Sequence, residues 1–135
     1  MEKSPKKQQV KRIELNSNES IGYFDFKGFH VRYNVNTETQ DDINQENPAN
    51  FALTPNTSGG QTLSIWIWEG VPQKFKEILL HHELTEADLM LNQRLSKQEA
   101  HRVAFKAHMQ YARETMDHED YGEFIRWQDT VKFHH

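Results

Sequence analysis

The apolar and polar positions divide the chain into strands followed by helices. Phe29, Val31, Tyr33 and Val35 alternate with His30, Arg32 and Asn34, the period-two pattern of a strand with one buried face. His30 therefore points outward. Residues 21–27 read as the preceding strand, with Gly28 between the two, and 13–15 read as a first short strand by the same apolar spacing. The clearest strand is 62–69. Leu63, Ile65 and Ile67 face one way, and Trp66 and Trp68 face the other, so both faces are covered. Gly70 and Pro72 end it, and Pro72 suits the first turn of a helix.

That helix is expected over 72–93. Lys74, Glu77, His81, Thr85, Asp88 and Asn92 fall three and four apart and form a polar stripe. Phe75, Ile78, Leu79, Leu89 and Met90 lie opposite, and His82 and Glu86 line up with them. His81, on the polar stripe, is read as solvated or as a neighbour of the site. A second helix is expected over 96–116. Ser96 followed by Glu99 makes a capping box. One face carries His101, Ala104, Phe105, His108, Tyr111 and Ala112, where the alanines permit close approach to another helix. A short third helix over 120–131 uses Phe124, Trp127 and Val131. Between the strands, residues 36–61 are rich in Asn, Thr, Asp, Gln, Pro and Gly and read as a long loop, with 51–53 pinned to the core.

Strands first and helices after indicate an α+β domain. A small antiparallel sheet is expected to pack against a helical hairpin, with strand 62–69 leading into its first helix. A chain of 135 residues suffices for one such core, placed at 13–133 behind a basic polar tail at 1–12. His134 and His135 are assigned no function. The net charge of −4 argues against a general nucleic-acid partner. No apolar run is long enough to span a membrane. The N-terminus lacks an apolar signal region, so a cytoplasmic location is the default.

The chain has no cysteine, which leaves His and carboxylate as metal ligands. A buried carboxylate is normally paired or bound to metal. His82 and Glu86, four apart on one helix, can grip one ion. In an antiparallel hairpin that turns near Leu95, the third ligand comes from the second helix. His101, closer to the turn, is the first choice. His108, two turns further on, is the second or a supporting group. Zinc is the expected ion. Glu83 follows the first ligand, where it can take a proton from a zinc-activated water. The strand 62–69, beside the cleft, is the candidate to hold an extended peptide substrate or partner.

The run Leu80-His81-His82-Glu83-Leu84-Thr85-Glu86-Ala87, with Ala100-His101 beyond it, resembles the zincin metallopeptidases. It is more closely similar to small phage and bacterial zincin-like proteins with HExxE in place of HExxH. The resemblance covers roughly 62–112 and rests mainly on five or six positions. It implies a zincin-like fold, with His82 and Glu86 as ligands and Glu83 as general base. Glu86 stands where the second His is usual, and no downstream HxxGxxH, Met-turn or Asn-Glu helix motif follows. Two other classes compete. One is a non-catalytic metal-binding or protein-interaction module. The other is a His–Asn–His metal-dependent nuclease built on His81-His82, Asn92 and His101, which the acidic charge suits poorly.

Overall fold

The computed structural model describes residues 21–35, 43, 45, 47–55 and 61–131. The expected strand at 13–15, the basic tail and the terminal histidines lie outside these residues. Strands β1 (Ile21–Phe26) and β2 (Phe29–Asn34) pair as an antiparallel hairpin, Phe26 opposite Phe29. Lys27 and Gly28 both have positive φ, 48° and 90°, which is what a two-residue hairpin loop with the right-handed strand twist demands. The alternation in β2 is as read: Phe29, Val31 and Tyr33 are buried and His30 is exposed, its Nδ1 2.8 Å from Asp25 Oδ1.

Two further strands follow. β3 (Ala49–Pro55) occupies part of the segment read as a loop. Pro48 just before it, Pro55 at its end, and its Asn50 and Thr54 argue against a central strand, but an edge strand tolerates them. β4 (Gln61–Ile67) then inserts between β2 and β3, giving the order β1-β2-β4-β3. β3 and β4 are antiparallel, with Ala49 opposite Ile67. β2 and β4 are parallel, with Tyr33 beside Ile65. The sheet is therefore mixed rather than wholly antiparallel. The reason is topological: the chain turns back along β3 at the edge and returns as β4 in the direction of β2.

Three helices complete the α+β fold: α1 (Gln73–Leu91), α2 (Lys97–Thr115) and α3 (His118–Thr130). α1 packs on β3 and β4 on one side and on α2 on the other. Contact on both sides removes the simple amphipathic stripe. Glu77 and Asp88, expected in solvent, are buried, and so is Lys76. The Lys76 ammonium donates to the Val35 carbonyl at 3.1 Å, and burial lowers its pKa. Asp88 pairs with Lys27 at 3.2 Å and accepts from the Asn92 amide at 2.8 Å.

Arg94, in left-handed conformation (φ 62°), lies in the turn between α1 and α2. Ser96 then caps α2, its Oγ accepting from the Glu99 N–H at 3.2 Å. Ala100, Ala104 and Ala112 are fully buried, and small residues there let α2 approach closely. Asp117 caps α3 by accepting from the Asp120 N–H at 2.8 Å. α3 buries Phe124 and Gln128, and Phe124 packs edge-on against Phe75 of α1, ring centroids 5.3 Å apart. Among the described residues, no helix is long and apolar enough to cross a membrane.

Candidate metal centre

The middle of α1 and the start of α2 face each other, and this sets the site. His82 is 0% exposed and Glu86, one turn on, is 2% exposed. His101 enters from α2, the first such histidine after the turn. His82 Nε2 lies 3.2 Å from His101 Nδ1 and 3.3 Å from Glu86 Oε1, and His101 Nδ1 lies 3.8 Å from the same oxygen. Zinc at about 2.0–2.1 Å from tetrahedral ligands spaces them about 3.3 Å apart. The three atoms thus form one face of a tetrahedron of the right size, and the residues present fit a metal ion.

Surrounding groups fix this triangle. Lys97, the first residue of α2, places Nζ 3.1 Å from Glu86 Oε2. Burial pushes the Glu86 carboxyl up, but the hydrogen bond and charge of His82, with the charge of Lys97, outweigh it and hold it at about 2. Glu86 is an anion at any working pH.

On the far side of the His82 ring, Nδ1 lies 2.8 Å from His108 Nδ1. His108, fully buried, sits edge-on between the Phe105 and Phe124 rings. Its Nε2 meets Gln128 Oε1 of α3 at 2.6 Å. Burial, then the charge of His82, push His108 down to about 3, so it is neutral. His108 therefore supports His82 from behind rather than joining the triangle.

Glu83 is buried beside His82. Burial and then the charge of Glu86 push it up to about 8, against the opposing charge of Lys97. It is mostly protonated at neutral pH as it stands, and a cation held by the triangle would favour its carboxylate form. His81 corrects the solvated reading. It stacks on Tyr111, ring centroids 4.2 Å apart at 11°, and burial lowers it to about 4. Asn92, the middle residue of the His–Asn–His pattern, ends α1 and donates to Asp88 and to the Lys27 carbonyl, 3.5 Å away.

The strand expected to hold a peptide also changes. β4 is paired on both sides, by β2 and β3, so its main chain has no free edge. The edge next to the site is β3. Its Phe51 ring lies 5.3 Å from the Lys97 ammonium, which links β3 to the Glu86 side of the triangle. The Phe51 N–H is capped by Asn50 Oδ1 at 2.8 Å, a common way to blunt an edge.

Sequence reasoning missed Lys97 and Gln128. A lysine in a first helical turn is read as solvated by default. Gln128 had a signal, because it falls four after Phe124 and three before Val131 on one helical face. No protein-family model, curated protein or solved structure matches the chain.

Proposed function

We propose that this chain is a zinc-dependent hydrolase of zincin-like type that cleaves peptide or related amide bonds. His82, Glu86 and His101 hold the ion, and Glu83 is the general base. The observation that carries this reading is the triangle of donor atoms, 3.2, 3.3 and 3.8 Å on a side, drawn from two helices. Two histidines and one carboxylate with an open fourth position form a ligand set used for catalytic zinc. When bound, zinc supplies Lewis acidity to a carbonyl oxygen and to the attacking water.

The chain's own residues do the rest. Glu83 accepts the water proton at its carboxylate and passes it to the leaving amine. Lys97 holds Glu86 Oε2, which keeps Oε1 on the side of His82 Nε2 and His101 Nδ1, where it would serve as the ligand oxygen. An extended substrate lying along β3 would be held by main-chain hydrogen bonds, displacing the Asn50 cap at Phe51.

One observation favours a second reading. His101, the most open of the three ligands, has a side chain only 13% exposed, which also suits a metal that merely staples α1 to α2. Glu83 decides between them. Zinc-loaded chain should cleave members of a peptide library, and Glu83→Gln should keep the zinc and lose the cleavage. Full zinc occupancy with no cleavage of any peptide by the unsubstituted chain would leave the structural staple as the function.

A further inference from the structure

An open cavity of about 640 Å³ runs along the flank of α2, and His101 is part of its wall. His101 thus serves two places. Its Nδ1 faces the triangle, and its ring borders the cavity. Its side chain is also the most exposed of the three, 13% against 1% for His82 and 2% for Glu86. The cavity is therefore where a substrate can lie against the site. Its lining carries an excess of positive charge. Arg102 and Lys106, four apart on α2, both border it, against one carboxylate, Glu99. Arg102 Nη2 lies 3.3 Å from Glu99 Oε2, but both side chains are more than half exposed, so solvent weakens that pair. The chain as a whole has a net charge of −4, so a cationic lining is not its general surface. Phe105 adds an apolar wall, its ring edge-on to that of His108 at 4.8 Å.

We propose that this cavity binds an acidic side chain of the substrate, which makes Arg102 and Lys106 specificity-determining residues of a hydrolase for Asp- or Glu-containing peptides. The proposal rests on the hydrolase reading above and names its substrate class. The methylenes of the acidic side chain lie against Phe105, and its carboxylate accepts from the Arg102 guanidinium and the Lys106 ammonium. A helix rises 1.5 Å per residue, which puts Lys106 about 7.5 Å beyond His101 along α2. An extended peptide advances about 3.3 Å per residue, so the acidic residue falls within about two positions of the bond cleaved. β3 reaches the first turn of α2 where the Phe51 ring meets Lys97, and the cavity starts at Ser96 of the same turn. A substrate strand along β3 thus leads towards the cavity.

The experiment uses the full chain with zinc added and pairs of C-terminally amidated peptides that differ only by Glu or Gln near the bond cleaved. The readout is the ratio of kcat/KM for the Glu peptide over the Gln peptide. Binding of the same peptides to Glu83→Gln, followed by fluorescence anisotropy, gives a second readout that needs no turnover. The unsubstituted chain should favour Glu about tenfold, the scale of a charge-assisted hydrogen bond at a partly exposed site, and added salt should shrink the preference. Arg102→Gln and Lys106→Gln should each lower the ratio, and Arg102→Glu with Lys106→Glu should invert it. Both residues are exposed, and each single variant decides if another fails to fold. Equal rates for the Glu and Gln peptides, or a ratio that no variant changes, would overturn the proposal while leaving the hydrolase standing. So would a preference for a free C-terminal carboxylate over its amide without one for Glu over Gln. If no peptide is cleaved, the hydrolase reading falls and the anisotropy decides for the cavity alone. Tighter binding of the Glu peptide that Arg102→Gln or Lys106→Gln abolishes would uphold the cavity as an acidic-peptide site, and equal binding would overturn it.

Discussion

Lys97 grips the oxygen of Glu86 that the histidines leave. Its Nζ lies 3.1 Å from Oε2, while Oε1 faces His82 Nε2 and His101 Nδ1. The contact is an ion pair rather than an aligned hydrogen bond, since Oε2 has no hydrogen-bond partner among the described residues. The Lys97 side chain is 53% exposed and that of Glu86 only 2%. A half-open cation thus partly neutralises a buried anion, and this matters most when no metal does so.

Lys97→Met should therefore destabilise the metal-free protein. The loss is about 1 kcal/mol, well below that of a fully buried pair, because solvent screens the exposed partner. That corresponds to a fall of about 3–5 °C in melting temperature. The rise in melting temperature on adding zinc should be larger in the variant than in the parent chain. An equal rise in both would mean that Lys97 does not balance the charge of Glu86.

His81 offers the opposite outcome. Its Nδ1 is buried with no hydrogen-bond partner among the described residues, and its ring stacks on Tyr111. Replacing a polar ring that lacks a partner by an apolar one of similar shape is close to neutral or stabilising. His81→Phe should keep its zinc and its melting temperature. Loss of zinc from this variant would place His81 among the ligands.

The stability of the metal-free protein should peak near pH 6.5. His81 and His108, at about 4 and about 3 in the folded chain, rise to 6.5 on unfolding. The unfolded chain then binds two more protons than the folded one, so stability is lost as pH falls below 6.5. Glu83 acts in the other direction. Its folded value of about 8 lies above the 4.5 of the free side chain, so the folded state binds one more proton, and stability is lost as pH rises from 4.5 to 8. Below 6.5 the two histidines outweigh the one carboxyl, and above it Glu83 acts alone. Glu86, at about 2 against 4.5, steepens the acid side further. Urea midpoints in the presence of a chelator should fall from pH 6.5 towards both 5 and 8. A midpoint that climbs from 6.5 to 5 would show that the two histidines are not buried neutral.

Glu83→Gln should fold as well as the parent chain, because the amide replaces a carboxyl that is already mostly neutral at pH 7. Zinc content should be unchanged. Peptide hydrolysis should fall about 10²- to 10⁴-fold, the usual loss when a general base is removed. Hydrolysis that persists at the parent rate would assign the base elsewhere.

What could be read from the sequence follows what is local. His82 and Glu86 stood out because a helical period set them among apolar residues, and a short turn set His101 at their level. The pairing of β2 with β4 is not local, and no residue within either strand signals it. β3 was hidden because Pro48, Asn50 and Pro55 carry loop composition, which an edge strand accepts. The polar stripe of α1 misled because a helix with a sheet on one side and a helix on the other buries Glu77 and Asp88 as well as Ile78. Lys97 and Gln128 act through long side chains whose direction depends on packing, and α2 and α3 fix that direction only in the folded chain.

The most direct test is the metal content of the full chain, purified without added histidines, beside its variants His82→Ala, Glu86→Gln and His101→Ala. Elemental analysis and zinc titration should give close to one equivalent for the parent chain. Each variant should lose it, while His81→Phe retains it. A parent chain that binds no divalent metal, or variants that bind as tightly as the parent, would contradict the site.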